Sequence, residues 1–72
     1  MIAFGKLLTE LRRQRGLGLH QLSERSGLSI RAISYLEGGL REPLMLTVVD
    51  LAHGLDVEPG ELLNPLMELP RE

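Results

Sequence analysis

At 72 residues, with 43% hydrophobic side chains and a net charge of −2, the chain is one domain whose small core buries only about 60% of the surface its unfolded form exposes. The absence of cysteine excludes a disulfide scaffold and a cysteine-ligated zinc finger, and seventeen leucines against two aromatics, Phe4 and Tyr35, argue for helices over sheets. The longest apolar run, Leu44 to Val49, is interrupted by Thr47 and falls far short of the roughly 20 residues that span a bilayer, and the N-terminus lacks a signal peptide's basic start, so a soluble, cytoplasmic protein without membrane contact is expected.

Phe4, Leu7, Leu8 and Leu11 recur at helical spacing and predict a first amphipathic helix over residues 3–15. Arg12, Arg13 and Arg15 suit its C-terminal dipole, and Gly16 and Gly18 end it. Leu19 to Ser26 predicts a short second helix with Leu22 inward and Gly27 as its stop. Ser29 offers an N-cap for a third helix, Ile30 to Glu37, whose apolar pair is Ile33 and Leu36 and whose stop is Gly38-Gly39. Residues 44–55 have the β-branched content of a strand, but no second strand exists to pair with it. Val48, Leu51, Ala52 and Leu55 share one helical face, so a fourth helix is expected, weakened at its end by Gly54. Glu58-Pro59 opens a fifth helix that Asn64-Pro65 closes. The domain is thus drawn at residues 1–65, with a tail over 66–72 carrying Leu66, Met67 and Leu69. The opening Met1 and the short tail suggest a whole protein.

The net charge hides an asymmetry. Residues 1–41 hold seven basic and three acidic side chains, +4, while residues 42–72 hold one and seven, −6. The first part can face an anion, although solvated helix faces would give the same pattern. Residues 19–37 have the layout of a helix-turn-helix. A small residue, Ser23, stands four before the turn glycine Gly27, Leu22, Leu28, Ile33 and Leu36 form the buried face, and Ile30, Arg31, Ser34 and Tyr35 face outward, where a major groove would lie.

Over residues 4–63 the chain resembles the Cro/phage-repressor-type helix-turn-helix domain, the XRE family. The resemblance rests on the ordered set Leu8, Leu11, Arg12, Arg15, Gly16, Leu22, Gly27-Leu28-Ser29, Ile33-Ser34, Leu36-Glu37, Gly39, Pro43, Leu51-Ala52, Leu55, Val57 and Glu61-Leu62-Leu63. It implies an all-α, compact five-helix lambda-repressor-like fold that binds double-stranded DNA. It further implies that Arg12 pairs with Glu37 and pins the third helix to the first, a role that the dipole at Glu37 supports, since a carboxylate there needs a cation. Base-reading positions match Ile30, Arg31, Ala32 and Tyr35. Arg31 can chelate guanine, Ile30 and Ala32 offer apolar contact, and Tyr35 either bonds DNA or packs its ring on the helix edge. Phosphate contacts are expected from Ser29, Ser34, Gly18, His20 and Arg41.

The chain departs from the family pattern in three places. Leu19 replaces a phosphate-bracing glutamine, and Gly18 a hydroxyl N-cap. His20 or Gln21 could substitute, with Gln21 on a different face. Gly38 stands where a polar or basic residue is common, leaving Arg41 as the basic residue of that loop, offset by Glu42. Fewer phosphate contacts weaken binding, which dimerisation would restore. Leu44 and Leu46 replace polar residues and, with Leu40, Met45, Leu66, Met67 and Leu69, exceed what so small a core can use. They predict a homodimer interface, or a tail folded back over the leucines.

The leading expectation is a sequence-specific, nucleoid-associated transcriptional regulator, a repressor, acting as a homodimer on an inverted repeat. The alternative is a protein-interaction module of the same fold, of antitoxin or anti-repressor type, with a protein partner and weak or partner-dependent DNA binding. An enzyme is not expected. There is no cysteine, no paired histidines and no phosphate loop, Glu58 and Glu61 read as a helix start, and His20 and His53 support no metal or cofactor site.

Overall fold

A computed structural model describes residues 2–67, and of residues 65–67 the backbone. Five helices follow one another: α1 (Ile2–Gln14), α2 (Leu19–Ser26), α3 (Ile30–Glu37), α4 (Met45–Leu55) and α5 (Pro59–Met67). Of the ambiguous segment 44–55, residues 45–55 are a helix, which starts one residue later than expected with Leu44 as its N-cap. Its apolar stripe Val48, Leu51, Ala52 and Leu55 shares one helical face and is fully buried. These residues close a core with Phe4 and Leu8 of α1, Leu22 of α2, Ile33 and Leu36 of α3, and Leu62 of α5. The pairs α2–α4 and α1–α3 carry much of the packing, and α5 bridges α4 and α1. No helix among the described residues is long and apolar enough to cross a membrane.

Helix ends follow local chemistry. α1, α3 and α4 each close with the amide of a residue just past the end donating to a carbonyl five residues back: Leu17 to Arg12 at 3.1 Å, Leu40 to Tyr35 at 2.9 Å and Val57 to Ala52 at 3.0 Å. At α4 the left-handed residue that permits this is Asp56, φ 58°, one of the few side chains that tolerate the region. α5 opens with Pro59 and is capped by Glu61, whose carboxylate accepts from the Glu58 amide at 3.1 Å.

Two more boundaries differ from expectation. α1 runs one residue earlier than 3–15, so Arg15 lies in the turn beyond it. α5 does not stop at Asn64-Pro65 but continues to Met67, taking Leu66 and Met67 into the helix. A proline inside a helix forfeits one backbone hydrogen bond, here the one to the Glu61 carbonyl, without necessarily ending it, and Glu61 is exposed.

Gly5 went unremarked in the sequence and governs the α1–α3 contact. It is fully enclosed, and a Cβ there would lie 2.6 Å from the Leu36 carbonyl oxygen and closer still to that of Glu37. Gly54 plays a similar part between α4 and α2. A Cβ there would meet Leu22 Cδ1 at 2.9 Å and Ser26 Cβ at 3.1 Å, and its carbonyl accepts from Arg25 Nε at 2.7 Å. Its low helix propensity is therefore offset by close packing. Helix propensity alone would make Gly5→Ala stabilising by about 1 kcal/mol. The obstructing atoms at Gly5 are backbone, which cannot rotate away, so overpacking wins. Gly5→Ala should destabilise by a net of about 2 kcal/mol, lowering the melting temperature by roughly 10 °C. A melt at or above that of the wild type would refute the close approach.

Candidate nucleic-acid interface

The turn between α2 and α3 is held by short-range bonds that spend every small side chain in it. Gly27 takes the left-handed conformation, φ 80°, and donates its amide to the Ser23 carbonyl at 3.0 Å. Ser23 Oγ donates to the Leu28 carbonyl at 2.6 Å, and the Leu28 amide donates to Ser26 Oγ at 3.2 Å. Ser23 therefore does more than allow close approach: its hydroxyl latches the turn. Ser29 is extended, and its Oγ accepts from the Ala32 amide at 3.0 Å, capping α3. The hydroxyl proton of Ser29 stays available to an acceptor outside the protein.

α3 then divides cleanly. Ile33 and Leu36 are buried, whereas Ile30, Arg31 and Ser34 are exposed and Ala32 and Tyr35 half-buried. Among the described residues Arg31 has no ion pair or hydrogen bond, so its five guanidinium donors are unspent. Ala32 lines a cleft with Leu28, Pro43 and Leu44. Tyr35 has its ring beneath the Arg41 guanidinium, 5.1 Å from carbon to centroid, a contact between α3 and the following loop that sequence reading missed.

Arg12 and Glu37 join α1 to the end of α3. Arg12 Nε lies 2.7 Å from Glu37 Oε2 and Nη2 3.1 Å from Oε1, a two-pronged pair, while Nη1 donates to the Leu17 carbonyl at 2.9 Å. The side chains are only 13% and 12% exposed. One guanidinium thus ties together α1, the turn to α2 and the end of α3. The hydrogen bond to Glu37 and, after the opposing effect of burial, the attraction of its charge hold the Arg12 pKa above its usual value. Since that value is raised, the arginine's part in the pair is complete at every pH below its ordinary pKa.

The N-terminus of α2 is capped by one of the two residues expected to substitute for the missing hydroxyl. Gly18 has no side chain to offer, and Gln21 supplies the reciprocal half, its Oε1 accepting from the Gly18 amide at 2.8 Å. A glutamine three residues after a helix-opening glycine was the available signal. His20 Nε2 lies 2.8 Å from Glu24 Oε1 one turn on, both well exposed. The apolar residues around the α3–α4 loop are not covered by the described chain: Leu40, Leu44 and Leu46 are 77%, 75% and 77% exposed. The side chains of Leu66 and Met67, and all of Leu69, lie outside the described residues.

A family described as a helix-turn-helix domain matches residues 5–65. The chain belongs to this family, of the XRE type. An uncharacterized HTH-type transcriptional regulator of Sinorhizobium fredii is 39% identical over 66 residues, covering 92% of this chain and 86% of that protein. Another from Mycobacterium tuberculosis is 38% identical over 56 residues, 78% of this chain but 22% of the relative's length. Among solved structures, the restriction-modification controller protein C.AhdI from Aeromonas hydrophila is similar with a TM-score of 0.82 and 38% identity, covering 85% of this chain and 92% of that one.

Breaking a largely buried pair leaves an uncompensated charge, so Arg12→Met or Glu37→Leu alone should cost about 3 kcal/mol, and the double variant should regain much of the loss. Urea titrations of the four proteins test this. Single-variant losses below about 0.5 kcal/mol would place the pair with ordinary surface contacts.

Proposed function

We propose that this chain is a sequence-specific DNA-binding transcriptional regulator, a repressor that acts as a homodimer on an inverted repeat. The observation that carries the reading is the outward face of α3. An unpaired Arg31, flanked by exposed Ile30 and Ser34, stands on a helix capped by Ser29 and anchored through Glu37 to Arg12. A rigid helix with an unspent fork of donors suits bidentate bonding to guanine, while Ile30 can meet a thymine methyl. In this reading Ser29, Ser34, Gly18, His20 and Arg41 are the residues assigned to phosphates, contacts that fix register without reading sequence. The likeness to regulators of S. fredii and M. tuberculosis and to a restriction-modification controller supports the same reading.

The exposed leucines at 40, 44 and 46 supply apolar surface for a second copy at the start of α4. A dimer would set two recognition helices about 34 Å apart, one turn of duplex. The same leucines favour a second reading, a protein-interaction module whose DNA binding depends on a partner.

Selection from a randomised duplex library at near-physiological salt should enrich an inverted repeat. Arg31→Ala should relax discrimination at one base pair per half-site, worth about 1–3 kcal/mol there. Enrichment of nothing would remove the autonomous regulator and leave the second reading, which a complex surviving gel filtration would support. In solution scattering the protein should be a dimer at high micromolar concentration, and a monodisperse monomer would refute the interface.

A further inference from the structure

We infer that Tyr35 is a positioning residue for Arg41: its ring face holds the loop arginine beside the recognition helix, so that helix and loop engage DNA as one unit, with Arg41 on a backbone phosphate. The inference deepens the DNA-binding reading above and rests on it.

The chain path makes the contact. The α3 end folds back on itself, the Leu40 amide donating to the Tyr35 carbonyl at 2.9 Å and the Gly39 amide to the Leu36 carbonyl at 3.2 Å, with Gly39 at φ 74°. This reversal returns residue 41 to the turn of α3 that bears Tyr35. The Arg41 guanidinium then lies over the ring, 5.1 Å from its centroid. A cation on an aromatic face is attracted by the ring's quadrupole. The contact consumes no N–H group, and among the described residues Arg41 makes no ion pair or hydrogen bond, not even with neighbouring Glu42. Its donors remain free for an anion while the side chain is held. Arg41 is also the basic residue of a loop that otherwise offers Gly38, Gly39, Leu40 and Glu42. A freely rotating arginine would lose rotamer entropy on binding, and one already stacked loses less.

Tyr35 is half-buried and outside the core, so its replacement tests positioning rather than folding. The experiment uses the full chain and the duplex enriched by selection. Affinity is measured against salt for the wild type, Tyr35→Leu, Tyr35→Phe, Arg41→Ala and the Tyr35→Leu/Arg41→Ala double variant. Tyr35→Leu should weaken binding roughly three- to tenfold. Tyr35→Phe, which keeps the ring, should restore most of that loss. Arg41→Ala should flatten the salt slope by about one phosphate contact, and in that background Tyr35→Leu should add less than about twofold. In the free protein, the Arg41 δ-protons should show an upfield ring-current shift that disappears in Tyr35→Leu and persists in Tyr35→Phe. A full Tyr35→Leu loss in the Arg41→Ala background, or a Tyr35→Phe as weak as Tyr35→Leu, would overturn the inference alone, because Tyr35 would then contact DNA by itself. An unshifted Arg41 in the wild type would overturn it without reference to DNA. A wild-type chain that binds no duplex would overturn the DNA-binding reading and this inference with it.

Discussion

The rest of the structure depends on the two-pronged pair between Arg12 and Glu37, because it is the polar link that reaches across the domain to the helix carrying the candidate readout. α3 is eight residues long and would be marginal alone. It is held by two buried side chains beneath, Ser29 at its start and Arg12 at its end. Glu37 by itself opposes the helix dipole, and the guanidinium turns that liability into an anchor. The third donor of Arg12, on the Leu17 carbonyl, extends the anchor to the turn before α2. The close approach at Gly5 follows from the same geometry, since α1 must come near the last carbonyls of α3 for the pair to form.

The anchoring explains how a small core can support a readable surface. Ten residues are buried hydrophobics among those described, and no polar or charged residue is buried there. Rigidity at the surface therefore comes from local polar latches: Ser23 and Ser26 within the turn, Gln21 and Ser29 at helix starts, and Arg25 on the Gly54 carbonyl. Each occupies a place where a helix end or turn would otherwise leave backbone groups to solvent. The result is a helix α3 whose inward face and both ends are committed, while Ile30, Arg31 and Ser34 stay exposed.

Two surfaces of opposite character meet at the α3–α4 loop. Arg31 and Arg41 belong to the basic first part of the chain, while Leu40, Leu44, Met45 and Leu46 present apolar surface next to it. Arg41 lies over the Tyr35 ring rather than pairing with Glu42. The Leu40 amide has already bent the chain back over the helix end, and an aromatic face lies there.

Much of this was determined by the sequence alone. The apolar spacing that places Leu22, Ile33, Leu36, Val48, Leu51 and Leu55 inward is a one-dimensional pattern, and helix periodicity converts it directly into a buried stripe. Ser29 as a cap and Gly27 as a left-handed turn are likewise local chemistry that neighbouring residues suffice to specify. The tertiary structure alone decided the rest, because those features depend on what lies across a gap. Gly5 matters through the Leu36 and Glu37 carbonyls more than 30 residues away, and Gly54 offsets its poor propensity through Leu22 and Ser26. Tyr35, left open between contacting DNA and packing its ring, meets Arg41 only because the chain reverses after α3. α5 runs through Pro65, although local rules place its end there. Periodicity and caps are written in neighbouring residues, whereas close approach, stacking and the tolerance of a lost hydrogen bond are properties of surfaces that exist only after the helices have packed.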